Sequence, residues 1–111
     1  MNFEEAAIKA LAFREEREWA QFHNPKDLAI SVSIEAAELL EVFQWSGADL
    51  EVAAKVDKAK EEIADVIIYC IYLADALNVD LADAIGSKID KNAKKYPADK
   101  ARGNARKYTE L

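Results

Sequence analysis

Ile34-Glu35-Ala36-Ala37-Glu38-Leu39-Leu40 and, further along, Glu62-Ile63-Ala64-Asp65-Val66-Ile67 are the stretches on which the fold turns. Each sets two acids three residues apart in otherwise apolar helical sequence. That spacing puts both acids of a pair on one helix face. Positions 35 and 65 lie at equal distances from residue 50, and so do 38 and 62. A chain that turns back near residue 50 as an antiparallel helical hairpin brings Glu35 level with Asp65 and Glu38 level with Glu62. Four carboxylates then surround one point. Their repulsion and lost hydration cost several kcal/mol for each unpaired ion. A divalent cation offsets that cost, and hard oxygen ligands favour Mg²⁺, with Mn²⁺ as a substitute. Glutamates three apart usually form only a solvated face. Here the doubled pattern and the flanking Ile34, Leu39, Leu40, Ile63, Val66 and Ile67 argue for a metal site. Glu41, Glu51 and Glu61 lack the doubled setting.

Helix signals surround the acids. Asn2 with Glu5 has capping-box spacing and opens a helix expected to reach about Gln21. Ala6, Ala7, Ala10, Leu11 and Phe13 form its apolar stripe. Asn24-Pro25 reads as a cap followed by proline at the first helical position. The second helix is expected from Pro25 to about Trp45, ended by Gly47. Asp49 is expected to cap the third, running to about Leu77. Asp80, with Asp83 three residues on, caps a fourth that runs to about Lys95, before Pro97.

No segment alternates as a strand. The expected fold class is therefore all-α, with four helices around the central antiparallel hairpin. Residues 1–97 are expected to form the helical domain, and residues 98–111 an extended polar tail of the same domain. The third helix is apolar on every side from Ile63 to Ala74 except at Asp65, which predicts burial all round. Three short helices do not enclose it, so a homodimer or homotetramer is expected to complete the bundle. Asp65 inside that run is itself a signal, because buried acids are almost always paired or metal-bound.

The composition fits such a compact helical chain. Half the residues are hydrophobic (51%), with only three glycines and two prolines in 111. The single cysteine, Cys70, lies in an apolar run and reads as packing. No basic-then-apolar leader opens the sequence. The longest apolar run, Val66 to Ala74, is far short of the roughly 20 residues a spanning helix needs. A cytoplasmic location and no membrane association are expected. Residues 1–85 carry 7 Lys/Arg against 18 Asp/Glu, whereas residues 86–107 carry 8 against 2. A basic C-terminal segment can attract nucleic acid. Tyr96 is the only aromatic among those lysines, too few for stacking bases, so no nucleic-acid partner is expected. Cations that hold a phosphorylated ligand fit better.

The pattern E-x-x-E, then a long gap, then E-x-x-D resembles the MazG-like all-α nucleoside triphosphate pyrophosphohydrolases. Further stretches resemble the stand-alone dCTP pyrophosphatase branch. They are Glu18-Trp19-Ala20-Gln21-Phe22-His23-Asn24-Pro25, Glu41-Val42-Phe43-Gln44-Trp45, Asn92-Ala93-Lys94-Lys95-Tyr96-Pro97 and Arg106-Lys107-Tyr108-Thr109-Glu110-Leu111. The likeness runs from about residue 17 to the end. It implies Mg²⁺-dependent hydrolysis of a nucleoside triphosphate, with dCTP or a modified dCTP leading, to monophosphate and pyrophosphate. Glu35, Glu38, Glu62 and Asp65 would be the metal ligands. Trp19, His23 and Trp45 would face the base, and Tyr69, Asn92 and Lys95 the sugar and phosphates. The matching segment begins only about 16 residues into the sequence, so any longer N-terminal extension that closes the pocket elsewhere in the branch is expected to be missing, which puts base selectivity in question.

The residue chemistry runs the same way. Glu38, at the centre of the cluster, is the candidate to activate water as well as to bind metal. No serine, cysteine or lysine stands out as a covalent nucleophile. Trp19 and Trp45 flank the acidic helix, and an indole face suits a base. Taken singly, Trp45 reads equally as hairpin packing, His23 as a helix-junction residue, Lys95 as a helix-end cation and Tyr69 as core. A non-enzymatic helical interaction module is the alternative, and it leaves Asp65 unexplained. A di-iron carboxylate bundle wants Glu-x-x-His pairs, and His23 has no such spacing.

Overall fold

Short polar side chains start three of the four long helices, as their sequence positions predict. The computed structural model describes Met1–Leu111 and contains helices and turns with no strand. Helix α1 spans Phe3–Glu16, α2 Pro25–Glu41, α3 Val56–Ala76, α4 Leu81–Lys95 and the one-turn α5 Ala98–Ala101. At α1 the capping box is complete: the Glu5 N–H donates to Asn2 Oδ1 at 2.8 Å, and the Asn2 N–H donates to Glu5 Oε2 at 3.4 Å. Asn24 Oδ1 accepts from the Asp27 N–H at 2.9 Å, with Pro25 in the first turn of α2. Asp80 Oδ1 accepts from the Asp83 N–H at 3.0 Å. Each cap satisfies a donor that the first turn leaves free, worth about 1 kcal/mol.

Three boundaries differ from the sequence expectation, each for a local reason. Helix α1 stops at Glu16 rather than near Gln21. Arg17 donates to the Phe13 carbonyl at 3.0 Å and lays its guanidinium 3.7 Å from the Phe13 ring centroid, and Glu18 then turns left-handed (φ 54°). Trp19–Phe22 resume as a 3₁₀ turn. Helix α2 stops at Glu41 rather than Trp45, because the next N–H groups bond three residues back: Val42 to Leu39, Phe43 to Leu40 and Gln44 to Glu41. Asp49 does not cap α3. Its Oδ1 accepts from the N–H groups of Glu51 (3.3 Å) and Val52 (3.0 Å), folding the hairpin connection into a side-chain-supported turn. Val52 sits there at φ 47°, a strained conformation for a β-branched residue. Burial of its side chain offsets the strain.

The chain divides into two compact units, Met1–Asn78 and Val79–Leu111. In the first, α2 lies along α3 as the expected hairpin, and α1 also packs on α3. The buried apolar residues are Leu28, Val42, Val52, Ile71, Tyr72 and Ala74. Leu28 is only 1% exposed, so its loss to alanine is expected to cost about 2–5 kcal/mol. The expectation that α3 is enclosed on every side is not met within one chain. Ile63 and Ile67 are exposed, as are Ile30 and Ile34 of α2, because a two-helix hairpin with one added helix covers only one of its faces.

In the second unit, α4 ends with Lys94 and Lys95 in its last turn, where cations suit the helix dipole. The stretch from Ala98, expected to be extended, instead forms α5 and a 3₁₀ turn at Tyr108–Glu110. The Tyr108 ring packs edge-on against Tyr96 (6.0 Å) and lies 5.0 Å from Lys95 Nζ. These contacts order residues that look like a polar tail in sequence.

Candidate active site

The acid pairs meet across the hairpin. Glu35 on α2 and Glu62 and Asp65 on α3 each present a carboxylate oxygen, and the three oxygens lie within 4.8 Å of one another. Glu38, one turn after Glu35 on α2, adds its charge to the cluster and acts on both Glu35 and Asp65. The deeply buried acid is Glu62, 7% exposed, whereas Asp65 is exposed. That reverses the emphasis read from the apolar run around Asp65. Glu62 turns toward α2, while Asp65, three residues on, lies toward the rim.

The cluster is electrostatically unbalanced. Burial, then the neighbouring Glu38 carboxyl and the charges of Asp65 and Glu62, push the Glu35 carboxyl up to about 7. Burial and the same crowd of carboxylates raise Asp65. The one cation bonded to the cluster is Lys58, a turn before Glu62, whose Nζ stands 3.1 Å from Glu62 Oε1. The other oxygen, Glu62 Oε2, is buried with no hydrogen-bond partner, and so is Glu35 Oε2. Two buried, unpartnered carboxylate oxygens in one cluster are costly without a cation. A donor set of carboxylates alone suits a hard divalent ion. Glu38, Glu41, Val42, Lys55, Lys58 and Glu62 border an open cleft of about 600 Å³.

On the other side of Asp65 lies a mostly apolar cavity of about 520 Å³. It is lined by Trp19 and His23 from the α1–α2 connection, by Phe13 of α1, and by Asp65, Tyr69 and Tyr72 of α3. Trp19 packs edge-on against Phe13 at 5.6 Å. His23 lies 5.2 Å from the Tyr72 ring, tilted by 32°, and its buried Nδ1 has no hydrogen-bond partner. Burial first, then the Arg14 charge, lower its proton affinity and favour the neutral imidazole. Trp19, His23 and Tyr69 thus come together beside an acid of the cluster. Trp45 does not join them: it stands in the turn after α2, 85% exposed. Asn92 and Lys95 belong to the second unit, where Lys95 borders a cleft with Lys94, Lys100 and Tyr108.

Sequence reasoning missed Arg14, Tyr72 and Lys58. Arg14 was detectable, because it continues the stripe of Ala7, Ala10 and Leu11 at helical spacing and so faces inward. Lys58 stands four residues before Glu62, the ordinary distance for a helix ion pair.

The sequence model of the MazG-like family matches residues 30–111, a span that holds both acid pairs. The chain belongs to the MazG-like family. Among relatives of this MazG-like chain, dCTP pyrophosphatase 1 of Rattus norvegicus is 42% identical over 105 residues, which are 89% of this chain and 61% of that protein. The Homo sapiens protein of the same name is 42% identical over 104 residues, with the same coverage. This chain therefore spans 61% of the length of those relatives. A crystal structure of a pyrophosphatase from Archaeoglobus fulgidus superposes with a TM-score of 0.76 at 44% identity, covering 85% of this chain and 91% of that one. The all-α hairpin architecture is thus that of the family. No helix is long and apolar enough to cross a membrane.

Proposed function

We propose that this MazG-like chain hydrolyses a nucleoside triphosphate, dCTP or a base-modified dCTP first among them, to the monophosphate and pyrophosphate. The observation that carries the reading is the carboxylate cluster across the hairpin, in which Glu35 and Glu62 each keep a buried, unpartnered oxygen. Glu35, Glu38, Glu62 and Asp65 would hold Mg²⁺, with Mn²⁺ as a substitute. When bound, the ion neutralises phosphate charge and polarises the phosphorus. The names of the rat, human and archaeal relatives support the reaction class.

The residues take the following parts. Glu38, exposed at the cluster's edge, accepts the proton of the attacking water. The water oxygen bonds to the α-phosphorus, the bridging bond to the β-phosphate breaks, and pyrophosphate departs with the bonding electrons. Trp19, His23 and Tyr69 receive the base and sugar in the apolar cavity beside Asp65. Trp45 supplies a further stacking face. In the second unit, Asn92 and Lys95 keep the sugar and phosphate role that the family pattern implies.

A homodimer or homotetramer acting on free nucleotides in the cytoplasm completes the reading. Ile30 and Ile34 on α2, and Ile63 and Ile67 on α3, recur at i, i+4 and are exposed, the mark of a hairpin face that another copy covers. Anion-exchange separation of products from the canonical and several 5-modified triphosphates tests the reaction. Monophosphate with pyrophosphate supports it, and diphosphate with orthophosphate overturns it.

A further inference from the structure

Arg14 and Glu62 are the chain's two buried charged residues, and the proposed reaction makes no use of Arg14. Its place on the inward stripe of α1 turns the guanidinium onto α3. There it donates to Asp75 Oδ2 at 2.9 Å and to Glu15 Oε1 at 2.6 and 3.0 Å. The guanidinium carbon lies 5.5 Å from the centroid of the Tyr72 ring. The Tyr72 hydroxyl in turn donates to the Ala10 carbonyl of α1 at 2.9 Å. Tyr72 is thus held on its face by a cation and at its tip by a hydrogen bond.

His23 depends on that ring. It closes the 3₁₀ turn between α1 and α2, and no side-chain hydrogen bond fixes its imidazole. What orients the ring is its 5.2 Å contact with Tyr72. His23 lines the apolar cavity beside Asp65, so a rotated imidazole changes the wall that a base would meet there. We propose that Arg14 is a positioning residue which, by clamping Tyr72, sets the plane of His23 and with it the wall that the imidazole presents to a bound nucleobase. The proposal rests on the functional reading above and adds to it the residue that orients the base contact. A planar guanidinium stacks and makes forked hydrogen bonds together, which a lysine ammonium does not.

The test is a double-mutant cycle on Arg14 and His23. Binding is measured by calorimetry with Mg²⁺ and a dCTP analogue whose α,β-bridge is an uncleavable imido group. KM and kcat are measured with dCTP. Arg14→Met is expected to weaken binding and raise KM about tenfold, with kcat nearly unchanged, and Arg14→Lys is expected to behave like Arg14→Met. In a His23→Ala background the same Arg14 change is expected to have almost no further effect. An equal loss in both backgrounds, or no loss in the wild-type background, overturns the positioning role. If Arg14→Met is unfolded at the assay temperature, Asp75→Asn loosens the same clamp more gently and enters the cycle in its place. Wild-type protein that neither binds the analogue nor cleaves dCTP overturns the functional reading, and the role of Arg14 with it.

Discussion

Glu35 on α2 and Glu62 on α3 meet in one carboxylate cluster, with one buried, unpartnered carboxylate oxygen apiece. Nothing in the packing of the hairpin requires this arrangement. Two apolar residues at these positions close a helix pair at less cost. The chain keeps a local instability that a bound cation would relieve.

Metal-free protein is therefore expected to lose stability as pH rises. Glu35 holds its proton up to about 7 in the folded chain against an ordinary 4.5. Between those values the folded state binds more protons than the unfolded state, so stability falls with increasing pH across that window and levels off above it. Asp65 is shifted in the same direction. Thermal melts in EDTA from pH 4.5 to 8 check this. Added Mg²⁺ is expected to raise the midpoint most at the alkaline end, and a midpoint that climbs with pH in EDTA contradicts it.

Glu38→Gln is expected to remove turnover by orders of magnitude while leaving the fold intact. The change deletes one charge at nearly constant shape, so the metal-free variant should melt at or above the wild-type temperature. Steady-state kinetics with a melt decide it. Retention of more than about a tenth of the activity, a loss under roughly 1.4 kcal/mol, excludes a central role for Glu38.

The two tryptophans separate binding from packing. Trp19→Ala is expected to raise KM more than it lowers kcat, because stacking holds substrate and transition state alike. A lost base stack costs about 1–3 kcal/mol, or roughly 5- to 150-fold. Trp45, 85% exposed, supports no core. Its alanine variant should melt within the small range of surface substitutions and yet raise KM. An unaltered KM removes Trp45 from the site.

The exposed isoleucines locate the expected subunit contact. Sedimentation of the wild-type protein should give a dimer or tetramer, and Ile63→Glu should shift it toward monomer. A monomeric wild type refutes that contact.

How far the sequence could be read depended on the range of the physics involved. The hairpin and its acid pairs were legible because helix periodicity and the symmetry about residue 50 are local patterns. Caps at Asn2, Asn24 and Asp80 were legible for the same reason. The ends of α1 and α2 were not, since they depend on Arg17 reaching back to the Phe13 carbonyl and on a tightened turn after Leu39. Glu62 rather than Asp65 is the buried acid, a matter of which way α3 is rotated against α2. The Arg14–Asp75 pair joins residues 61 apart in sequence, and only the packed helices reveal it.

The most direct measurement is hydrolysis of dCTP in ¹⁸O-water, with products read by mass spectrometry, in Mg²⁺ and again in EDTA. The expected result is label in dCMP, unlabelled pyrophosphate, and no reaction in EDTA. Labelled orthophosphate with dCDP, or equal turnover in EDTA, contradicts a carboxylate-held metal serving attack at the α-phosphorus.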